Sequence, residues 1–112
     1  MLILNLQPTV DNIYFEPNFL VIIESHLTSL RTSDGGRYVE VTEQQGFKYE
    51  GDFFGLLDDL SVDKKYHHIV LRVNDLYSSA DYKGNLSHVL LPSFPQIDML
   101  KSIYQTEQYT VQ

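Results

Sequence analysis

The chain has 112 residues, 43% of them apolar, 15 acidic against 8 basic side chains, a formal net charge of −7 and no cysteine. That length suits one domain with a single modest core, and the acidic balance disfavours nucleic acid, whose binding draws on Lys and Arg neutralising phosphates. The lack of cysteine removes disulfides, thiolate catalysis and thiolate zinc sites, and fits a reducing compartment.

In chain order, Met1–Leu6 alternates loosely and is expected to add a strand to its own sheet or a partner's, with Pro8 as its stop. No basic residue precedes its apolar run, which ends at Asn5, so it does not read as a secretion signal. The longest wholly apolar run, Phe19 to Ile23, is far too short to span a bilayer, and no membrane role is expected. Pro17 to about Thr32 reads as a helix: Pro17 suits a first helical position, and Phe19, Ile22, Ile23, Leu27 and Leu30 fall near helical spacing. The β-branched block Leu20-Val21-Ile22-Ile23 makes a strand start the competing reading.

Ser33-Asp34-Gly35-Gly36 is a turn. Arg37 to Thr42 alternates with a period of two and reads as a half-buried strand. Glu43-Gln44-Gln45-Gly46 is expected to reverse the chain so that Phe47 to Glu50 returns as the second strand of a hairpin. Gly51-Asp52 opens a short helix with Asp52 as N-cap, and Phe53, Leu56, Leu57 and Leu60 make one apolar face, with Asp58 and Asp59 off it. Gly55 inside that helix points to close packing of another backbone, since it weakens the helix by about 1 kcal/mol relative to Ala.

After Ser61-Val62-Asp63 a second helix runs from Lys64 to about Val73, with Asp63 as its cap and Tyr66, Ile69, Val70 and Val73 as its apolar face. Asn74 suits its end, because Asn tolerates left-handed geometry. Asp75 to Asn85 is a polar, Tyr-rich loop, Leu86 to Leu91 is a strand stopped by Pro92, and Ile97, Leu100, Ile103 and Tyr104 mark a short final helix. Met1–Thr9 and Thr106–Gln112 are candidate arms. No internal repeat or low-complexity run is visible, and the order β-α-β-β-α-α-β-α is an α+β arrangement.

Between Lys48 and Ser93 the order strand, Gly51-Asp52, helix with Leu56-Leu57, helix closed by Asn74, loop, and strand Val89-Leu90-Leu91-Pro92 resembles the LysM module, a small β-α-α-β domain. Tyr66-His67-His68 ahead of Ile69 to Asn74, with the exit through Pro92-Ser93, is similar to the LysM-like tail and baseplate proteins of contractile-tailed phages. The resemblance implies a LysM-like module at 48–93; the residue pattern places before it, at 1–47, a strand, a helix and a β-hairpin strand packed on it, and after it, at 94–112, a short helix and arm, one compact domain in all. The resemblance further implies a structural subunit of a phage tail or baseplate, present in multiple copies in a symmetric assembly. Such a subunit binds other tail proteins, residing in the virion and, before assembly, in the host cytoplasm. In glycan-binding LysM modules the sugar lies beside the loops that correspond to Glu50–Phe53 and Asp75–Tyr77, so peptidoglycan or chitin binding is the alternative.

The residues themselves argue little for catalysis. His67 and His68 are neighbours, which on a helix point about 100° apart and cannot easily chelate one ion, and His26 and His88 stand alone, so no metal is expected. Asp58, Asp59 and Asp63 read as a solvated face rather than a carboxylate pair flanking a bond. No serine sits in a G-x-S-x-G context and no phosphate-binding glycine loop exists, so neither enzyme activity nor a cofactor is expected. The candidate partner- or glycan-binding residues are Asp52, Phe53, Asn74, Asp75, Tyr77 and Tyr82, because Tyr offers an apolar face and a polar tip beside amide and carboxylate groups.

Overall fold

The structure, a computed structural model, describes residues 10–110. It opens with a 3-10 turn, Val10–Phe15, followed by helix α1, Pro17–Ser25, and helix α2, Leu27–Thr32. Pro17 sits in the first turn of α1, where its missing N–H has no partner to lose. Phe19, Ile23, Leu27 and Leu30 all turn inward, while Val21 is exposed, so core packing decides the β-branched block for helix. The expected single helix is broken at His26, whose backbone leaves helical geometry at φ −112°. Ser25 Oγ donates to the Ile22 carbonyl at 2.9 Å and His26 Nδ1 lies 2.8 Å from the same oxygen. Side chains thus compete with the backbone ladder at that turn, which bends helices.

Strand β1, Arg37–Glu40, follows the turn expected at Ser33–Gly36, closed by Gly36 N–H donating to Ser33 O at 3.1 Å. The hairpin expected next does not form. Glu43–Lys48 is helix α3, and Tyr49 and Glu50 lie in the turn after it. The physical reason is a capping box: Thr42 Oγ1 accepts from Gln45 N–H at 3.1 Å, and Gln45 Oε1 accepts from Thr42 N–H at 3.0 Å. The partner of β1 is instead strand β2, His88–Leu91, antiparallel, with Arg37 opposite Leu91, Tyr38 opposite Leu90, Val39 opposite Val89 and Glu40 opposite His88.

Between the strands lie helix α4, Phe53–Asp59, a 3-10 turn at Lys64–Tyr66 and helix α5, His67–Val73. Asp52 caps α4 by accepting from Gly55 N–H at 3.0 Å, and Asp63 caps the following turn through Lys65 N–H at 3.1 Å. Phe53, Leu56 and Leu57 are fully buried; Tyr66, Ile69, Val70, Leu71 and Val73 answer them from the second segment. Both helices end in a Schellman turn. Val62 N–H reaches Leu57 O and Ser61 N–H reaches Asp58 O after α4; Leu76 N–H reaches Leu71 O and Asp75 N–H reaches Arg72 O after α5. The left-handed residues are Ser61, φ 64°, and Asp75, φ 66°, so the left-handed geometry expected at Asn74 falls one residue later.

A third 3-10 turn, Ser79–Asp81, occupies the Tyr-rich loop, and β2 starts two residues later than expected. The last helix, α6, is Phe94–Thr110, long rather than short. Ser93 starts it, its Oγ accepting from Gln96 N–H at 3.2 Å, and Ile97, Leu100 and Tyr104 face inward while Ile103 is exposed. The expected arm at Thr106–Gln112 is therefore helical through Thr110; its last two residues, the strand expected at Met1–Leu6 and the arm at Met1–Thr9 lie outside the described residues.

Among the described residues there are six α-helices and one two-stranded antiparallel sheet, a mixed α+β protein. One apolar cluster runs from Ile13 to Tyr104, with α1 packed on α6, α2 on α5, and α4 and β2 on α5.

Candidate functional site

The six candidate residues fall into two groups. Asp52, Phe53 and Tyr82 belong to the first: Gly51 N–H donates to Tyr82 O at 2.8 Å, and the Phe53 and Tyr82 rings meet edge to face at 5.4 Å. Phe53 is fully buried and Tyr82 is 1% exposed, so both are core packing and neither offers a face to a ligand. The Tyr82 hydroxyl has no hydrogen-bond partner among the described residues, and burial pushes its pKa up. The close neighbour expected at Gly55 is a side chain rather than a backbone: a Cβ there would collide with the Asp52 carboxylate that caps the helix.

Asn74, Asp75 and Tyr77 form the second group, around the C-terminus of α5. Asn74 Nδ2 donates to Val70 O at 2.8 Å and to Leu90 O at 2.9 Å, and its Oδ1 accepts from Leu90 N–H at 2.9 Å. One amide thus serves β2 as a neighbouring strand would. Arg31 of α2 donates to Val73 O at 3.0 Å, Arg72 O at 3.1 Å and the Asp75 carboxylate at 2.6 Å, a cation on the last carbonyls of a helix. Arg72 grips Glu24 with two nitrogens, at 2.6 and 3.0 Å, and donates to Leu76 O at 2.8 Å. That bidentate pair pulls the Glu24 carboxyl below its ordinary pKa. The guanidinium also lies 4.3 Å from the centre of the Tyr77 ring, which is 78% exposed. Asp75 and Tyr77 are the only two of the six that stand exposed side by side in one cluster; Asp52 is exposed in the other.

The histidines do not converge. The His67 ring is buried, with Nε2 2.8 Å from Val62 O and 3.7 Å from Asp58, whereas desolvation lowers the pKa of the half-buried His68. Among the described residues no three of His, Asp or Glu gather in a metal-binding group. Asp59 accepts from Gln45 Nε2 at 3.0 Å, and Asp58 lies 3.9 Å from Lys64, which places both on the solvated side of α4.

Sequence reasoning missed three features. Tyr14 and Tyr66 both donate to Asp98 Oδ1, at 2.5 and 2.8 Å, tying the first 3-10 turn to α6. Burial, followed by the Asp98 carboxylate, raises both tyrosines, Tyr66 to about 12. A cleft of about 470 Å³ is walled by Phe15, Leu20 and Phe54, with Asp58, Lys64, His67 and His68 at its polar parts. Phe15 is 55% exposed at its mouth. Finally, Met99, Ser102, Ile103 and Thr106 form a solvent-facing stripe on α6. The i, i+4 spacing of Met99 and Ile103 could have revealed the stripe, but the cleft joins residues from three separate segments.

No protein-family model matches this chain, and neither a curated protein nor a solved structure shows significant similarity to it. Among the described residues no helix is long and apolar enough to cross a membrane.

Proposed function

We propose that this chain is a non-catalytic structural subunit of a phage tail or baseplate that joins neighbouring tail proteins, in several copies, through protein–protein contacts. It resides in the virion and, before assembly, in the host cytoplasm. Its core is LysM-like: a strand, two short helices and an antiparallel strand, with Asp52 opening the first helix, Asn74 closing the second and Pro92 ending the last strand. In this reading the opening strand is Arg37–Glu40, and α3 is an insertion after it.

The observation that carries the proposal is the cleft walled by Phe15, Leu20 and Phe54, an apolar recess with a charged rim. Such surfaces suit an apolar anchor from a partner protein.

Glycan binding is the second reading, favoured by the exposed Tyr77 beside Asp75. It loses the burial-locked rings of Phe53 and Tyr82 as stacking platforms. The test is quantitative mass spectrometry of density-purified tail particles from cells expressing the native chain or Phe15→Glu. Stoichiometric incorporation, reduced about tenfold by a charge at the cleft mouth, is expected, since burying half a Phe is worth about 1–1.5 kcal/mol. A native chain absent from the particles, together with Tyr77-dependent co-sedimentation on peptidoglycan, would replace assembly by sugar binding.

A further inference from the structure

The two edges of the sheet are not alike. Val41 N–H donates to Ser87 O at 2.8 Å, one step beyond the Glu40–His88 pair. Antiparallel pairs alternate between hydrogen-bonded and non-hydrogen-bonded. Residues 37, 39 and 41 therefore aim their backbone groups at β2, and Tyr38 and Glu40 aim theirs outward. Leu90, opposite Tyr38, obeys the same alternation: its N–H and C=O face away from β1 and are both taken by Asn74. The outer edge of β2 is thus closed at Leu90. The outer edge of β1 is open, and among the described residues the backbone groups of Tyr38 and Glu40 have no partner.

Arg37–Glu40 contains no proline, glycine, lysine or bulge, and its two charges, Arg37 and Glu40, are of opposite sign. We propose that a second copy of this chain pairs antiparallel on β1 about a two-fold axis at Val39, making a four-stranded sheet in the order β2, β1, β1, β2. Tyr38 then faces Glu40 of the other copy, and each pair exchanges two hydrogen bonds, so every open group is used. The neighbouring registers of the same parity fail for visible reasons. Centring on Tyr38 sets Glu40 against Gly36, whose N–H already serves Ser33 O. Centring on Glu40 sets two like carboxylates face to face and calls on Thr42, whose N–H already serves Gln45.

At the Val39 register the two Val39 side chains form a non-hydrogen-bonded pair, the closest kind, with about 4.5 Å between Cα atoms. Val39 is half-buried in one copy and gains an apolar cover from the other. Tyr38, 70% exposed, is set beside the other copy's Glu40. Asn74 blocks the outer edge of β2 at Leu90, so the two-fold pairing of β1 on β1 favours a closed dimer over a filament. The pairing belongs to the isolated chain and goes beyond its role in any particle.

The chain has no cysteine, so Val39→Cys introduces a single thiol at the axis. A spacing of about 4.5 Å between Cα atoms suits a disulfide. Under mild oxidation, Val39→Cys is expected to form a disulfide-linked dimer about tenfold or more faster than Tyr38→Cys or the exposed Thr28→Cys, because pairing raises the effective thiol concentration. Equal rates for the three overturn the proposal. Sedimentation velocity on the unmodified chain supplies a second measurement. A concentration-dependent dimer is expected, strengthened by salt because each copy carries −7, and abolished in Tyr38→Pro. That substitution removes an outward N–H and leaves the native β1–β2 bonds in place. A native chain that stays monomeric up to its solubility limit, or a Tyr38→Pro chain that still dimerises, also overturns it.

Discussion

Replacing Asn74 by Ala deletes three hydrogen bonds at once: those to Val70 O at 2.8 Å, to Leu90 O at 2.9 Å and from Leu90 N–H at 2.9 Å. Val70 O also accepts from the Asn74 backbone, so it keeps a partner. Leu90 loses both of its partners, and at 9% exposure it has little access to water. An unsatisfied buried backbone group costs about 1–3 kcal/mol, so two at a partly wet position give about 3 kcal/mol, a large share of the 5–15 kcal/mol that is typical of a domain. With a urea m-value of about 1.5 kcal/mol/M, the unfolding midpoint falls by about 2 M. Circular dichroism in a urea series measures that shift, and hydrogen exchange at the Leu90 amide locates it. Asn74→Asp adds a sign. A carboxylate aimed at the Val70 and Leu90 carbonyls has its folded pKa raised, so the stability its protonated form contributes is present below the unfolded carboxyl pKa and lost as pH rises through the folded one. This variant is therefore least impaired in mild acid and worst at neutral pH. A midpoint shift under about 0.5 M for Asn74→Ala, with unchanged Leu90 protection, would refute the strand-mimic account.

Gly46→Ala is expected to destabilise by about 2–3 kcal/mol, read from thermal unfolding, because a Cβ there would stand 2.5 Å from the Gly84 backbone oxygen. Ser61→Gly should raise the melting temperature by a few degrees, worth about 0.5–1 kcal/mol, since Ser61 holds the left-handed position of a Schellman turn at φ 64°. Alkaline titration followed at 295 nm should show Tyr14 and Tyr66 ionising only as the chain unfolds. Their folded pKa values lie above the unfolded value of 10.0, so the stability is whole below pH 10.0 and lost as pH climbs toward about 12. Free titration of all tyrosines near pH 10.0 with the fold intact would contradict the shared Asp98 network.

Much of the candidate site was legible only as position. Phe53 and Tyr82 carry side chains that suit stacking, but one packs on the other inside the core. Nothing local distinguishes Tyr82 from Tyr77, which lie five residues apart in one loop with opposite burial. Asn74 was readable as a helix end, whereas its bonds to Leu90, sixteen residues on, were not. The capping box at Thr42 and Gln45 is local and written in the sequence, but the period-two pattern before it points to a hairpin instead.

What the chain determines by itself are the features whose partners lie within one or two turns: the Pro17 start, the Asp52 and Asp63 caps, the apolar faces at Phe53–Leu57 and Tyr66–Val73, and the stop at Pro92. A period of two likewise marks Arg37–Glu40 as a strand, but backbone donors and acceptors are identical at every residue, so it names no partner. Only the folded chain chose β2 over Phe47–Glu50, capped one sheet edge at Leu90 with Asn74 and left the other without a partner among the described residues. Those choices rest on which distant surfaces bury the most apolar area together, and that sum exists only once the whole core has assembled.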